Sequence, residues 1–169
     1  MFQIQSADLP EELISQPAID ISQPHPYLPY NPLLMVQNGQ YQTDVDLMLG
    51  FNEDEGILIT QFFMAAPSLY NVLKEAWNFL GPFALFQSHH TEITEQQIEI
   101  ATEMLNFYTD NAGVENLSPD KFWNVTDMFT DSFFTFANYL FLKHHLEHST
   151  GKTYQYRFSY KVEYIHSRN

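Results

Sequence analysis

The strongest indication of the fold comes from Asp46-Leu47-Met48-Leu49-Gly50-Phe51-Asn52-Glu53-Asp54-Glu55-Gly56. Its apolar first half predicts a buried strand over residues 45–51, followed by an acidic turn that a second glycine closes. In open α/β sheets, the ligand crevice lies at the carboxyl ends of the strands. The stretch therefore predicts an α/β fold with a functional carboxylate at a strand end, and Glu55 is the candidate. The alternative is an ordinary polar turn, because turns use acidic residues and glycine.

Patterns along the rest of the chain predict mostly helices. Helices are expected at residues 6–15, 32–39, 57–64, 68–80, 94–108 and 126–148, with a loop at 111–120 and a second strand at 153–160. Ser68 is the predicted cap of its helix, and Gly81-Pro82 is the predicted stop. The helix at 126–148 is apolar nearly all round, which predicts burial on both sides. Two strands do not form a stable sheet alone. We therefore expect that the further strands needed to complete the sheet lie in another chain or in a longer polypeptide.

Composition excludes several classes of function. The chain has 169 residues, a normal size for one domain, with 7 basic and 21 acidic residues and a net charge of −14. This charge argues against nucleic acid as a partner, because phosphates require a basic surface. There is no cysteine, so disulfides and cysteine-based zinc sites are excluded. The N-terminus lacks the pattern of a signal peptide, and no run approaches the ~18 apolar residues of a membrane span. The sequence does not indicate the cellular compartment of the protein.

The acidic turn also carries a family resemblance. Gly-x-Asn-x-Asp-Glu-Gly at residues 50–56 resembles the acid motif of the type B carboxylesterases, the cholinesterase-like branch of the α/β-hydrolase fold. The segments at residues 27–32 and 38–41 are similar to the approach to that motif, and the aromatic strand at 154–160 is similar to a later strand. The resemblance covers nearly the whole chain. It implies that residues 1–169 are an incomplete α/β-hydrolase domain, specifically its C-terminal portion.

The resemblance implies a function as well. Members of this family hydrolyse small-molecule carboxylic esters with a Ser-Glu-His triad and no cofactor, and the full-length proteins are often secreted. Only Glu55 acquires a role by this comparison, as the triad acid that orients the catalytic histidine.

The other two triad members are not recognisable in the sequence. A nucleophile elbow needs Gly-x-Ser-x-Gly, and no two of the six glycines are four positions apart. The family's histidine precedes a glycine, whereas none of the seven histidines does; His166 also follows the last strand too closely. We therefore predict that the chain alone is inactive. The non-enzyme alternative is a truncated or degenerate esterase-like protein that acts as a binding fragment.

The sequence also contains a histidine-rich pentapeptide and two glycosylation triplets. His144-His145-Leu146-Glu147-His148 matches the H-x-x-E-H pattern of inverted zinc peptidases, with His144 and His148 as ligands and Glu147 as base. A polar helix end is the stronger interpretation, because histidines favour the last helical turn. The triplets beginning at Asn116 and Asn124 are possible N-glycosylation sites, although Pro119 makes the first a poorer acceptor.

Overall fold

The computed structural model describes residue 19 and residues 24–64, 67–86 and 93–160. The helices are α1 (Pro32–Gln37), α2 (Ile57–Met64), α3 (Pro67–Glu75), α4 (Trp77–Phe86), α5 (Glu95–Tyr108), α6 (Phe122–Thr130) and α7 (Phe136–His148). The strands are β1 (Leu47–Asn52) and β2 (Thr153–Phe158). The predicted helix at residues 6–15 and His166 lie outside the described residues.

The two strands confirm the α/β class. β1 and β2 pair in parallel, in a register that runs from Leu47 opposite Thr153 to Asn52 opposite Phe158. Parallel strands need a crossover connection, and helices α2 to α7 supply it here. The expectation of a buried first strand is wrong for part of it, since Met48 is 70% exposed. Tyr154, which pairs with Met48 across the two strands, is also exposed, so this face of the pair is uncovered among the described residues.

The hydrophobic core lies among the helices and not at the sheet. Its buried members come from α3 to α6 and the α5–α6 connection: Leu73, Trp77, Leu85, Ala101, Leu105, Leu117, Val125, Met128 and Phe129. The indole N–H of Trp77 donates to Thr102 Oγ1 at 3.0 Å, so the buried ring also satisfies its polar atom. Ile59 of α2 packs against this cluster, so the core also holds the helix that follows the acidic turn.

Helix α5 confirms the amphipathic prediction for residues 94–108. Thr94 is its N-cap, and a capping box joins Thr94 to Gln97. Ala101 and Leu105 are fully buried, while Glu99 and Glu103 point outward. At the end of the helix, the Tyr108 hydroxyl donates to Asp131 Oδ2 at 2.7 Å. Burial, with help from this carboxylate, raises the pKa of Tyr108 well above its usual range.

The prediction of one helix over residues 68–80 is wrong. The segment forms two helices, α3 and α4, which meet at a turn at Ala76. Gly81 and Pro82 do not stop the second helix; both are buried inside it. A Cβ at Gly81 would lie 2.8 Å from Trp77 Cε2, so glycine allows close packing on the indole ring. Trp77 and Leu85 of α4 also pack into the core against α5, and this tertiary packing outweighs the hydrogen bond that proline cannot make.

The long helix also differs from its prediction. It begins at Phe122 and not at residue 126, and a π-helical segment at Asp131–Thr135 joins α6 to α7. The expected burial on both sides is wrong for α7, because Phe136, Tyr139 and Leu146 are 59%, 59% and 62% exposed. The predicted loop at 111–120 contains the 3-10 turn Val114–Asn116 and the start of a second, Pro119–Lys121. Among the described helices, none has the length and apolarity that crossing a bilayer requires.

Candidate functional site

The carboxyl ends of the two parallel strands meet at one edge. β1 ends at Asn52 and β2 at Phe158, and the N–H of Glu53 donates to the Phe158 carbonyl at 2.9 Å. The acidic turn therefore starts where β2 ends. The sequence placed Glu55 at the carboxyl end of one strand, and the structure brings the end of the second strand to the same place.

Among the described residues, Asn52 is the neighbour that holds the Glu55 carboxylate. Its Oε1 accepts hydrogen bonds from the backbone N–H of Asn52 at 3.0 Å and from the Asn52 side-chain amide at 2.8 Å. The Glu55 side chain is half-buried. Both hydrogen bonds that the described residues donate to this carboxylate end on Oε1. The other oxygen, Oε2, is left to accept a hydrogen bond from a further group.

Gly56, the residue after Glu55, attaches the turn to the helical core. Its N–H donates to Thr130 Oγ1 at 2.9 Å, and the Thr130 hydroxyl in turn donates to the Thr126 carbonyl at 2.9 Å. A Cβ at Gly56 would lie 2.2 Å from the Thr126 carbonyl oxygen and 2.6 Å from Thr130 N. Only glycine permits this close approach of the turn to α6.

The remaining acidic residues of the turn have different surroundings. Glu53 Oε1 lies 3.5 Å from Arg157 Nη2, an ion pair between partly exposed side chains that contributes little to stability. The Asp54 carbonyl accepts from the N–H of Ile57 at 3.1 Å as α2 begins. The turn therefore places Asp54 and Glu55 just before a helix N-terminus, where the helix dipole favours negative charge.

An open pocket lies beside the turn at the same edge of the sheet. It is bordered by the acidic turn, the start of α2 and the end of β2: Asn52, Glu53, Asp54, Glu55, Ile57, Leu58, Phe158, Ser159 and Tyr160. Within the described part of the chain, no histidine or glycine-flanked serine borders this pocket. The pocket is thus bordered by three acidic residues, of which Glu55 is the candidate triad acid, together with Asn52 and apolar and hydroxyl side chains.

The histidines at the end of α7 contact other parts of the chain. His148 Nε2–H donates to the Gln37 carbonyl at 2.8 Å, and His144 Nε2 lies 3.4 Å from the Gln37 side-chain amide. These contacts pack α7 against α1. Glu147 lies 3.7 Å from His144 Nδ1.

His145, between the two proposed zinc ligands, is buried. Its Nδ1 lies 2.8 Å from the Tyr41 hydroxyl, and its ring stacks on Phe141. Burial raises the pKa of Tyr41 above its ordinary value. Across the described ranges, no three His, Cys, Asp or Glu side chains are grouped so that they could share a metal ion. The observed contacts are those of a helix end that packs on neighbouring elements.

The two possible glycosylation sites differ in exposure. Asn116 is exposed, and its side-chain amide donates to the Ala112 carbonyl at 2.9 Å. Asn124 is half-buried in the first turn of α6, and its amide donates to the Tyr108 carbonyl at 2.8 Å. Glycosylation of either residue stays a prediction, and the exposed Asn116 has more room for a glycan.

Comparison with known proteins identifies the family. A model of the carboxylesterase family matches residues 3–169. The chain belongs to the carboxylesterase family. Members of this family have the α/β-hydrolase fold, and the parallel strand pair with its helices is consistent with part of that fold.

One curated relative of this carboxylesterase chain is described as a carboxylic ester hydrolase, from Bombus ignitus. It is 25% identical over 144 residues, which make up 84% of this chain and 25% of the relative's length. The chain therefore matches about a quarter of that protein. The family resemblance drawn from the acid motif is confirmed by these findings.

Sequence reasoning missed two residues of the site in this carboxylesterase chain. Asn52 lies inside the quoted motif, and its position three residues before Glu55 was a usable signal because short polar side chains hydrogen-bond locally in turns. Thr130 lies 74 residues from Gly56 and carries no local signal. Its role depends on how α6 packs against the turn.

Proposed function

We propose that this chain supplies the acid of an esterase active site, and that Glu55 is that acid. In a Ser-Glu-His triad, the carboxylate orients the imidazole and stabilises the imidazolium that forms when the serine loses its proton. The carboxylate itself stays ionised throughout. The serine then attacks the ester carbonyl, and the reaction proceeds through an acyl-enzyme that water hydrolyses.

The observation that carries this proposal is the arrangement of the Glu55 carboxylate. It lies at the carboxyl ends of two parallel strands, beside a pocket, with Oε1 held by Asn52. A triad acid must be oriented by its surroundings and must keep one oxygen for the histidine. The acceptor geometry at Glu55 meets both requirements, and membership of the carboxylesterase family agrees with them.

The serine and the histidine must come from outside these 169 residues, because the sequence contains neither Gly-x-Ser-x-Gly nor a His-Gly pair. We propose that residues 1–169 form the C-terminal portion of an α/β-hydrolase domain whose other strands extend the β1–β2 pair. Exposed side chains on the strands, including Met48, Tyr154 and Tyr156, support an extension or cover of this kind. The substrate class is then a small-molecule carboxylic ester, and no cofactor is required.

The first test is the complete transcript that contains this sequence. We expect it to encode Gly-x-Ser-x-Gly upstream and His-Gly downstream. In the esterase that it encodes, Glu55→Gln should lower kcat by about 10⁴-fold, because the amide holds the imidazole in the wrong tautomer. Glu99→Gln, an exposed change on α5, is the matched control and should leave kcat unchanged. An active Glu55→Gln enzyme would contradict the assignment of Glu55.

The absence of the serine and histidine motifs from the sequence favours one other candidate, a non-catalytic esterase-like protein that acts as a binding fragment. A natural transcript that encodes only residues 1–169 would support it. The zinc peptidase alternative, based on His144, Glu147 and His148, makes a separate prediction of bound zinc and chelator-sensitive activity, and metal analysis of the purified chain tests it.

A further inference from the structure

We infer that Asn52 is a positioning residue for the catalytic acid, an inference that rests on the proposed function of Glu55. Asn52 directs two donors at a single carboxylate oxygen, Glu55 Oε1, at 3.0 Å and 2.8 Å. Two hydrogen bonds to one oxygen restrict rotation of the carboxylate about its last side-chain bond. They leave Oε2 in a defined direction as the acceptor for the histidine.

The backbone donor is available because of the strand register. Along β1, the N–H groups of Leu47 and Glu53 point to β2 and bond to the carbonyls of Lys152 and Phe158. Successive residues of a strand present their N–H groups to opposite edges, so the N–H of Asn52 points away from β2. At that edge the N–H of Asn52 has no strand partner within the described residues. The Glu55 carboxylate accepts its hydrogen bond instead.

The side-chain donor is what makes position 52 specific. Any residue except proline supplies the backbone N–H, but asparagine adds a short, rigid N–H donor that reaches the same oxygen. An aspartate of the same shape would remove this donor and place a second negative charge beside Glu55. An alanine would remove the donor alone. Position 52 therefore affects catalysis through Glu55 and without contact to the substrate's reacting atoms.

The test is a double-mutant cycle in the esterase encoded by the complete transcript. Asn52→Ala should lower kcat by about 10- to 100-fold with little change in KM, because a small misplacement of a catalytic group costs that much. Asn52→Asp should lower kcat at least as far. In the Glu55→Gln background, Asn52→Ala should cause no further loss, since residues that act as a unit are not additive.

Asn31→Ala is the matched control. Asn31 also makes paired hydrogen bonds through its side chain, to the N–H groups of Leu33 and Leu34, but it caps α1 away from the pocket. This variant should leave kcat and KM unchanged. Asn52→Ser keeps a hydroxyl donor and should recover part of the activity that Asn52→Ala loses.

Each outcome separates the two proposals. If Glu55→Gln abolishes activity but Asn52→Ala does not lower kcat, the role of Asn52 is wrong and that of Glu55 stands. If the losses from Asn52→Ala and Glu55→Gln multiply, Asn52 acts in general folding and the positioning role is overturned. If Glu55→Gln is fully active, or the transcript lacks the serine motif, the proposed function fails and the inference fails with it.

Discussion

The N–H of Gly56 donates a 2.9 Å hydrogen bond to the hydroxyl of Thr130, and both residues are buried. This bond joins the acidic turn to α6 across 74 positions of sequence. Gly56 directly follows Glu55, so the contact fixes the backbone beside the candidate acid. The orientation of Glu55 thus depends on two anchors, Asn52 at its side chain and Thr130 at the next peptide group.

The hydrogen bond between Gly56 and Thr130 should contribute measurably to the free energy of unfolding. Thr130→Val keeps the shape of the side chain but leaves the buried N–H of Gly56 without an acceptor, which should cost about 1–3 kcal/mol. Urea unfolding of the purified chain measures this change. Thr126→Val is the matched control, because among the described residues the Thr126 hydroxyl bonds to the Phe122 carbonyl of its own helix and to no other element. Equal losses in the two variants would contradict the anchor.

The helical core should dominate the stability of the chain. Leu105 is fully buried, so Leu105→Ala should lower the free energy of unfolding by about 2–5 kcal/mol. Leu146 is 62% exposed, and Leu146→Ala should change the free energy of unfolding by no more than about 0.5 kcal/mol. Denaturant unfolding followed by circular dichroism compares the two substitutions. A similar cost at Leu146 would mean that its face of α7 is covered in solution.

Tyr108 should make stability depend on alkaline pH. Its pKa is raised in the folded state, so the folded chain holds this proton more tightly than the unfolded chain does. The resulting stability is fully present below the ordinary tyrosine pKa of about 10 and is lost as pH rises through the folded value. Unfolding measured from pH 8 to 11 should show a shallower decline for Tyr108→Phe.

Tyr27 provides the control for this pH series. It is 98% exposed, so Tyr27→Phe should leave the unfolding free energy unchanged at neutral pH. At that pH, Tyr108→Phe should cost about 1 kcal/mol through loss of the hydrogen bond to Asp131. Parallel pH profiles for the native chain and Tyr108→Phe would contradict the linkage.

The purified 169-residue chain should not hydrolyse esters. Loss of the serine or the histidine of a triad lowers kcat by about 10⁶-fold, and the sequence has neither motif. Incubation with a p-nitrophenyl ester and with a serine-reactive phosphonate measures turnover and labelling. Turnover above the rate in buffer, or stoichiometric labelling, would show that the chain contains its own nucleophile.

Much of the local structure was predictable because it depends on neighbouring residues. The capping box between Thr94 and Gln97 lies within one helical turn, and periodicity located α5 to within one residue. The predictions failed where distant contacts decided the outcome. Gly81 and Pro82 read as a helix stop, yet both are buried inside α4, which packs on α5 and is joined to it by the Trp77–Thr102 hydrogen bond.

The family, the α/β class and the position of Glu55 at a strand end could all be predicted from residue order, because the acid motif, the apolar run before it and the flanking glycines are local patterns. The contact between Asn52 and Glu55 Oε1 is also local, three residues apart, whereas only the folded chain shows which helix supports the turn, by placing Thr130 against Gly56 across 74 positions. The physical reason is that hydrogen-bond direction and close packing depend on how separate elements meet, and residue spacing alone does not specify that geometry.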